Sequence, residues 1–457
     1  MRSYKLTSAI LAAAALLALA SAGTASARSP HLKHRNGILG ANCRISLNVA
    51  PRLVTSGETV LAYGQATCPP NEAGQTVTLF QRVAGSSGFA VAGTTTTDSR
   101  GAYQMTTAPE TTNSQFYAAI GANLSRHRSL KVAAQVTLTG PPESKQLLEG
   151  LKTGRRNAVS FTGTVSPDDV GALVILQRQN AIRGNEWHRI GHTLVTSAVT
   201  STGAPTGTYT LAHAFVSPGA SDIRVLVKSN KRNIASPSNV LSYQISQAQN
   251  PSLTILSSTD PIPYGGSTVI SGTVAGAPNT TVTLAGHAAH NPFVTITTAK
   301  TDAEGNYTFP AQSPLVSTFY KVTGAGRSSA VLYEGVKYLL TAAVSATTVT
   351  SGQPLTFTGT VTPARAGHAI YLERQNVAGT GFHVISIGTL AADGSYSITR
   401  NLYAPGSDVL RVKVPGDPEN GGTASDPFTI TVAPLPSTAK LAPEPPGNST
   451  LPPEGQV

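Results

Sequence analysis

From residue 60 onward, apolar and polar positions alternate with a period of two, in a frame that recurs four times. One strand runs into a fixed glycine: Val60/Ala62/Gly64/Ala66, Val159/Phe161/Gly163/Val165, Thr268/Ile270/Gly272/Val274 and Leu355/Phe357/Gly359/Val361. Successive side chains of a strand point to opposite faces, so this spacing predicts one buried face in each copy. After a turn comes a second alternating strand, marked by Val77/Leu79, Val174/Leu176, Val282/Leu284 and Ile370/Leu372. Arg178 and Arg374 close it in the second and fourth copies; Arg82 falls one residue late in the first, and the third has none. An aromatic residue on a third strand precedes a Gly-x-Tyr: Phe89 and Tyr103, Trp187 and Tyr209, Phe293 and Tyr307, Phe382 and Tyr396. The second copy has extra residues between the two, which predicts a longer hairpin around Thr196–Thr206. Gly101, Gly207, Gly305 and Gly394 are expected to supply the positive φ of the turn before each Tyr. A further strand follows: Phe116/Ala118, Ile223/Val225/Val227, Tyr320/Val322 and Leu410/Val412/Val414.

Residues 159–180 (VSFTGTVSPDDVGALVILQRQN) and 355–376 (LTFTGTVTPARAGHAIYLERQN) share 11 of 22 positions without a gap. A period of this kind marks a repeat architecture. The copies divide the chain into 43–138, 139–247, 248–340 and 341–433, each long enough to bury its own core. No helical periodicity is present outside the first residues. About seven short strands per 100 residues, with regular turn signals, predict an all-β fold of four tandem immunoglobulin-like β-sandwich domains. The joints are short, as at 247–251 and 339–341, and predict a semi-rigid rod.

The frame G-x-V-x-P, then G-x-x-V-x-L-x-R, then D-G-x-Y, then R-V resembles the immunoglobulin-like repeats of secreted proteins from high-GC Gram-positive bacteria. The turns Asp302-Ala303-Glu304-Gly305-Asn306-Tyr307 and Asp393-Gly394-Ser395-Tyr396 are similar to those of carboxypeptidase-regulatory-like sandwiches. The resemblance covers roughly residues 43–433 and rests on turn and core positions. It implies stalks, spacers, adhesin segments or glycan-contacting modules, on a fold that by itself carries no chemistry.

The ends bear on location. Arg2 and Lys5, the apolar run Ala9–Ala20 and Ala25-Ser26-Ala27 form a signal peptide pattern over 1–27, with a run too short for a membrane span. A basic segment, 28–42, follows, and the Pro-rich 434–457 is expected to be a disordered tail. The mature chain is therefore expected outside the cell, with no membrane anchor, either released or held non-covalently at the envelope. In that oxidising setting Cys43 and Cys68 are expected to form a disulfide, the alternative being two free thiols.

Among the 457 residues, 33 Lys+Arg against 22 Asp+Glu give a formal charge of +11. Residues 28–247 carry +11 and residues 248–457 carry −2, so the basic character belongs to one half of the mature chain. Its clusters are Arg126, Arg128 and Lys131, then Lys152, Arg155 and Arg156, then Lys228, Lys231 and Arg232. They are candidate contacts for an anionic polymer such as a wall teichoic acid or acidic glycan; solvated loop charge is the competing reading. Export and the lack of a recognised binding fold argue against nucleic acid.

No catalytic, cofactor or metal residue is nominated. The chain lacks G-x-S-x-G, H-E-x-x-H and a phosphate-binding glycine loop, and its acids are scattered. His188 with His192, and His287 with His290, have no ligand pattern around them; Asp302, Glu304 and Asn306 lack the terminal ligand of a calcium loop and read as turn chemistry. Tyr103, Trp187 and Tyr209 could stack on sugars, but their fixed place in the frame assigns them to the core first. Three functions are left. The first is a secreted, non-catalytic spacer or interaction rod at the cell envelope. The alternative is a module whose basic N-terminal half binds anionic cell-wall polymer or polysaccharide. The third is an enzyme with a loop-borne site. The partners implied are a wall polymer, a glycan or a protein.

Overall fold

The alternating pattern resolves into strands alone. A computed structural model describes residues 43–143, 147–148, 157–180, 186–199, 205–288, 291–377, 379 and 381–435, and no helix occurs among them. The signal peptide, the basic segment 28–42, Lys152, Arg155, Arg156, His290 and the tail beyond Leu435 lie outside the described residues.

Each segment folds into facing sheets. In the first, Leu61–Thr67 pairs with Arg44–Ile45, Asn48–Ala50 and Ala102–Thr106. The opposite sheet runs Leu53–Thr55, Arg128–Ala133, Ser114–Ile120, Thr76–Val83, Ala90–Thr96. The fourth segment repeats this order around Pro354–Thr362 and Ala369–Gln375, and the second around Val159–Ser166 and Leu173–Asn180. In every segment one short early strand crosses to pair in parallel with a late strand, as Thr348–Thr350 does with Phe428–Ala433. The pair Thr196–Val199 and Pro205–His213 forms the longer hairpin expected in the second segment. Gln135–Val136 pairs with Val159–Ser166, and Leu339–Leu340 with Pro354–Thr362, so these two joints are themselves strands of the sheet that follows.

The apolar positions of the frame are buried throughout, Val60, Phe161, Ile270 and Phe357 each at 0% exposure. They sort into four hydrophobic clusters, one per segment. Tyr103, Tyr209, Tyr307 and Tyr396 lie directly across from Gly64, Gly163, Gly272 and Gly359. Each phenol donates to a carbonyl beside the segment's first strand: Ser46, Thr137, Thr254 and Thr341. The two glycine-marked motifs of the sequence are thus one device, in which the frame glycine leaves room for both the ring and that carbonyl. Gly101, Gly305 and Gly394 adopt φ of 74°, 87° and 81°. Gly207 does not: it lies within the strand Pro205–His213, because the longer hairpin moves the turn away from it. Its constraint is Val195 Cγ1, which leaves no room for a side chain. Cys43 and Cys68 form a disulfide.

The joints between segments are of a recurring kind. Asn233 and Asn420 are buried, at 2% and 0% exposure. Asn233 Nδ2 donates to the carbonyls of Thr111 (2.9 Å) and Val132 (3.2 Å), and Asn420 Nδ2 to those of Leu315 (3.3 Å) and Val336 (3.4 Å). Around them Asn113 N donates to Arg232 O and Ser317 N to Glu419 O; Ala133 bridges Ile234, and Lys337 bridges Gly421. Asn230 and Asp417 shape the two loops by accepting from the backbone N–H groups two and three residues on. Segments one and two, and segments three and four, are therefore two versions of the same docked pair.

The pairs also meet each other, which contradicts an extended rod. Leu61 and Tyr63 lie on the face of their strand opposite the core, where they are buried with Ala50 of the neighbouring strand and Tyr403 of the fourth segment. Arg374 of the fourth segment forms an ion pair with Glu58 of the first. Gln104 donates to Leu435 O at 2.9 Å. Segments two and three join through Gln247 and Val331 and through Ser246 Oγ and Tyr333 N. The joints are tied by hydrogen bonds to both neighbours, and the pairs they connect lie against each other.

Candidate functional site

Six of the nine residues nominated for an anionic partner are described. Arg126 is exposed, whereas Arg128 is held by its Nε donating to Leu47 O at 2.6 Å. Lys131 projects from Arg128–Ala133 between the buried Leu130 and Val132. Lys228 is half-buried and Lys231 exposed, while Arg232 lies 3.4 Å from Asp168 and 3.9 Å from Asp169. Arg126, Lys131 and Lys231 keep their charge outward; Arg128 and Arg232 are occupied within the protein.

A different constellation recurs in all four segments. The register shifts at the same point each time, between Leu79/Phe80, Leu176/Gln177, Leu284/Ala285 and Leu372/Glu373. Such a bulge adds local twist and re-aims the following side chains. Beside it the third-strand aromatic lies on the outer face with a cation above its ring: Arg82 at 5.0 Å from Phe89, Arg224 at 4.1 Å from Trp187, Lys321 at 6.0 Å from Phe293 and Arg411 at 4.0 Å from Phe382. Tyr103 and Tyr209 are core residues, as expected, but Trp187 is not. The aromatics were legible in the sequence. Their cations were not, because each comes from a strand some 30 residues away, or immediately precedes the ring by a turn, and only pairing brings it over.

In the second and fourth segments these faces turn toward one cleft of about 540 Å³. Gln179, Trp187, Asp222 and Arg224 line one side; Tyr371, Glu373 and Phe382 line the other. Their places in the frame match: Arg224 Nε donates to Gln177 at 2.9 Å, and Arg411 Nε donates to the equivalent Glu373 at 2.7 Å. The Tyr371 phenol lies close enough to Arg224 and Asp222 to feel both charges. Burial pushes Arg224 down to about 10, which leaves it a cation at neutral pH. Asp222 and Glu373 balance Arg224 and Lys413, and Asn239 on the same wall is held by Leu138, its Nδ2 donating to Leu138 O and its Oδ1 accepting from Leu138 N. His383, also on the cleft wall, is pushed down to about 3 by burial and by Arg374, and so is neutral there. Such a wall of rings, amides and balanced charge suits a hydroxyl-rich ligand without net charge.

Neither a protein-family model nor a curated protein matches the chain. Among solved structures it is similar to a mutant of Salmonella alpha-2-macroglobulin, 11% identical over 87% of this chain and 33% of that one, with a TM-score of 0.21. It is also similar to bovine butyrophilin, 10% identical over 45% of this chain and 99% of that one (TM-score 0.25), and to dimeric latent PorU from Porphyromonas gingivalis, 11% identical over 65% and 34% (TM-score 0.16). The chain spans about a third of the length of the macroglobulin. Likenesses this remote carry nothing about activity or partner, and the all-β assignment rests on the strand pairing above.

Among the described residues no three His, Cys, Asp or Glu side chains come together as a metal site. Asp302 is taken up by its own turn, accepting from the N–H groups of Asn306 (2.7 Å) and Glu304 (3.0 Å), which holds its carboxyl below the usual carboxylate range. His287 stacks on Phe319 and meets Phe293 edge-on.

One buried acid stands apart from the cleft. Glu334 is fully buried in the third segment; Ser257 donates to its Oε2, and its Oε1 has no hydrogen-bond partner. Burial, with the nearby Asp260 charge, pushes its carboxyl up to about 8 from 4.5. Between those values the folded state holds a proton that the unfolded chain has released, so stability falls as pH rises. Glu334→Gln is expected to match the parent near pH 4.5 and to exceed its stability by a growing margin up to a plateau near pH 8. Melting temperatures of both proteins across that range read the difference; parallel curves would disprove the assignment.

Proposed function

We propose that this is a secreted, non-catalytic binding protein of the cell envelope, built on immunoglobulin-like sandwiches of the bacterial repeat type, which holds an uncharged polysaccharide strand between its second and fourth segments. The observation that carries this reading is the cleft itself: two equivalent faces, each with an arginine-capped aromatic ring, turned on one space of about 540 Å³. That volume falls in the range of small-molecule and oligosaccharide sites, roughly 300–1,000 Å³. Rings present flat apolar surface to the C–H faces of a sugar, while the guanidinium, carboxylate and amide groups beside them serve its hydroxyls. Export rests on the pattern of residues 1–27. Folding back of the pairs favours a binding role over that of a spacer, since a chain that closes on itself spans less distance than four segments in line.

Trp187 is the one tryptophan of the chain, so its fluorescence reports on this cleft alone. Titration of the mature protein with neutral hexasaccharides of β-1,4-glucan, β-1,3-glucan, α-1,4-glucan and chitin is expected to give a saturable change with at least one of them. Binding should be insensitive to salt, because no net charge is neutralised. By calorimetry, Phe382→Ala should weaken it at least about tenfold. Silence of Trp187 toward every neutral glycan would remove the cleft as a carbohydrate site.

A further inference from the structure

The outer face that carries the cation and ring has a neighbour in three of the four segments. In the second and fourth it lines the cleft. In the third, the rings run Phe293, His287, Phe319, Tyr333 into the second segment, where Phe319 lies against Gly219. In the first segment no contact with another segment covers it among the described residues, yet it too carries a cluster of four rings. Phe80 and Tyr117 are cross-strand partners with rings stacked at 4.8 Å. His127 stacks on the other side of Tyr117 at 5.4 Å, and Phe89 lies across both, at 4.8 Å and 5.1 Å. Alternation places them there: Val77 and Leu79 take the core, which leaves Phe80 and Arg82 on the outer face, where Phe80, Phe89 and Tyr117 are half-buried and His127 is exposed. Val91 and Leu124, each 61% exposed, extend the apolar ridge.

Its charge is of one sign. Arg82 lies over Phe89 and donates to Gln115, and Arg126 and His127 are exposed beside it. The acids of the segment are engaged or distant: Glu58 with Arg374, Glu110 buried against Gln81 and Ser114, Asp98 with its own turn, and Glu72 before Thr76, at the far end of the strand from Arg82. A face of three stacked rings with a fourth across them, and with unopposed cations, has a cost in apolar surface left to water that a partner would relieve.

We propose that this face of the first segment docks an anionic polysaccharide, a strand of carboxylated or sulfated sugars, independently of the cleft. The rings and the flanking Val91 and Leu124 would pack against the sugar C–H faces, and Arg82, Arg126 and His127 would take its acidic groups. Of the basic residues legible in the sequence, Arg126 is the one that belongs to this site.

The test uses immobilised polygalacturonate, dextran sulfate, neutral dextran and poly-glutamate with the mature chain. The expected result is retention on the two anionic glycans that falls with rising salt, with little retention on dextran or poly-glutamate. The Arg82→Ala/Arg126→Ala protein is expected to lose affinity about tenfold. Trp187→Ala should leave it unchanged, which separates this site from the cleft. Leu124→Glu, at an exposed position, should give a similar loss and serves if the double variant folds poorly. Equal retention of parent and variants overturns the proposal, as does failure to bind either anionic glycan. Equal binding of poly-glutamate reduces the face to a charge patch and overturns the role of the rings. A dimer in sedimentation that Leu124→Glu dissolves would make the face a contact between copies of this chain, and would also overturn it.

Discussion

Gly163→Ala will cost the second segment more than about 4 kcal/mol, enough to unfold it. A Cβ on Gly163 would lie far inside van der Waals contact with the Thr137 carbonyl oxygen and 2.6 Å from Tyr209 Cζ. The ring cannot swing away without surrendering its bond to that same carbonyl. Nor can the carbonyl retreat, because Thr137 N donates to Thr164 O at 3.0 Å in the same ladder. Tyr209→Phe, which removes only the hydroxyl, should cost about 1–2 kcal/mol. Tyr209→Ala should fail to rescue Gly163→Ala, since the carbonyl remains. Urea unfolding followed by Trp187 fluorescence reads all three within that segment. A loss below about 1 kcal/mol for Gly163→Ala would show that the strand can shift and that the frame glycine has another cause. The corresponding clashes at Gly64, Gly272 and Gly359 involve Ser46, Thr254 and Thr341, so the same result is expected in each segment.

Arg374→Met will open the contact between the first and fourth segments and destabilise the protein by about 3–5 kcal/mol. Arg374 pairs with Glu58 and lies 3.7 Å from Asp408, and the side chains of all three are largely shielded from water. Truncation leaves two carboxylates in that setting without a counter-charge, and the neutral His383, 3.5 Å from Glu58, supplies none. Burial already pushes the Asp408 carboxyl up; without the guanidinium it should rise further. Small-angle scattering should show a larger radius of gyration, because the remaining apolar contact is the small group Ala50, Leu61, Tyr63 and Tyr403. A radius equal to the parent's would mean that this group suffices and the ion pair does not govern closure. Glu58→Gln/Arg374→Met, which removes both charges, should recover part of the stability.

Whether a feature could be read from the chain depended on how local its cause was. Val60, Phe161, Ile270 and Phe357 were legible because a period of two states which face is buried regardless of what lies beyond the strand. Gly207 departed from its three counterparts because the longer hairpin, itself visible as extra residues, moved the turn elsewhere. Trp187 was misassigned to the core: the frame position it shares with Phe89, Phe293 and Phe382 lies on the outer face, beside a bulge, such as the one after Leu176, that the alternation does not reveal. The cation over each ring was hidden, since a guanidinium and a ring on different strands meet only through register. Leu61 and Tyr63 did carry a signal, apolar residues on the supposedly wet face, which marks a surface that another segment will cover.

The sequence by itself determined the strands, the core of each segment and the kinship of the second and fourth, because alternation, turn residues and repetition are local properties of the chain. Only the tertiary structure decided that the segments fold back in docked pairs, that Trp187 and Phe382 share a cleft, and that the rings of the first segment gather on its outer face. Those outcomes depend on buried asparagines, ion pairs and close fits between residues up to some 300 positions apart, such as Glu58 and Arg374. A strand's own pattern says that it has a face to bury; which surface buries it is settled by shape and charge on the other side.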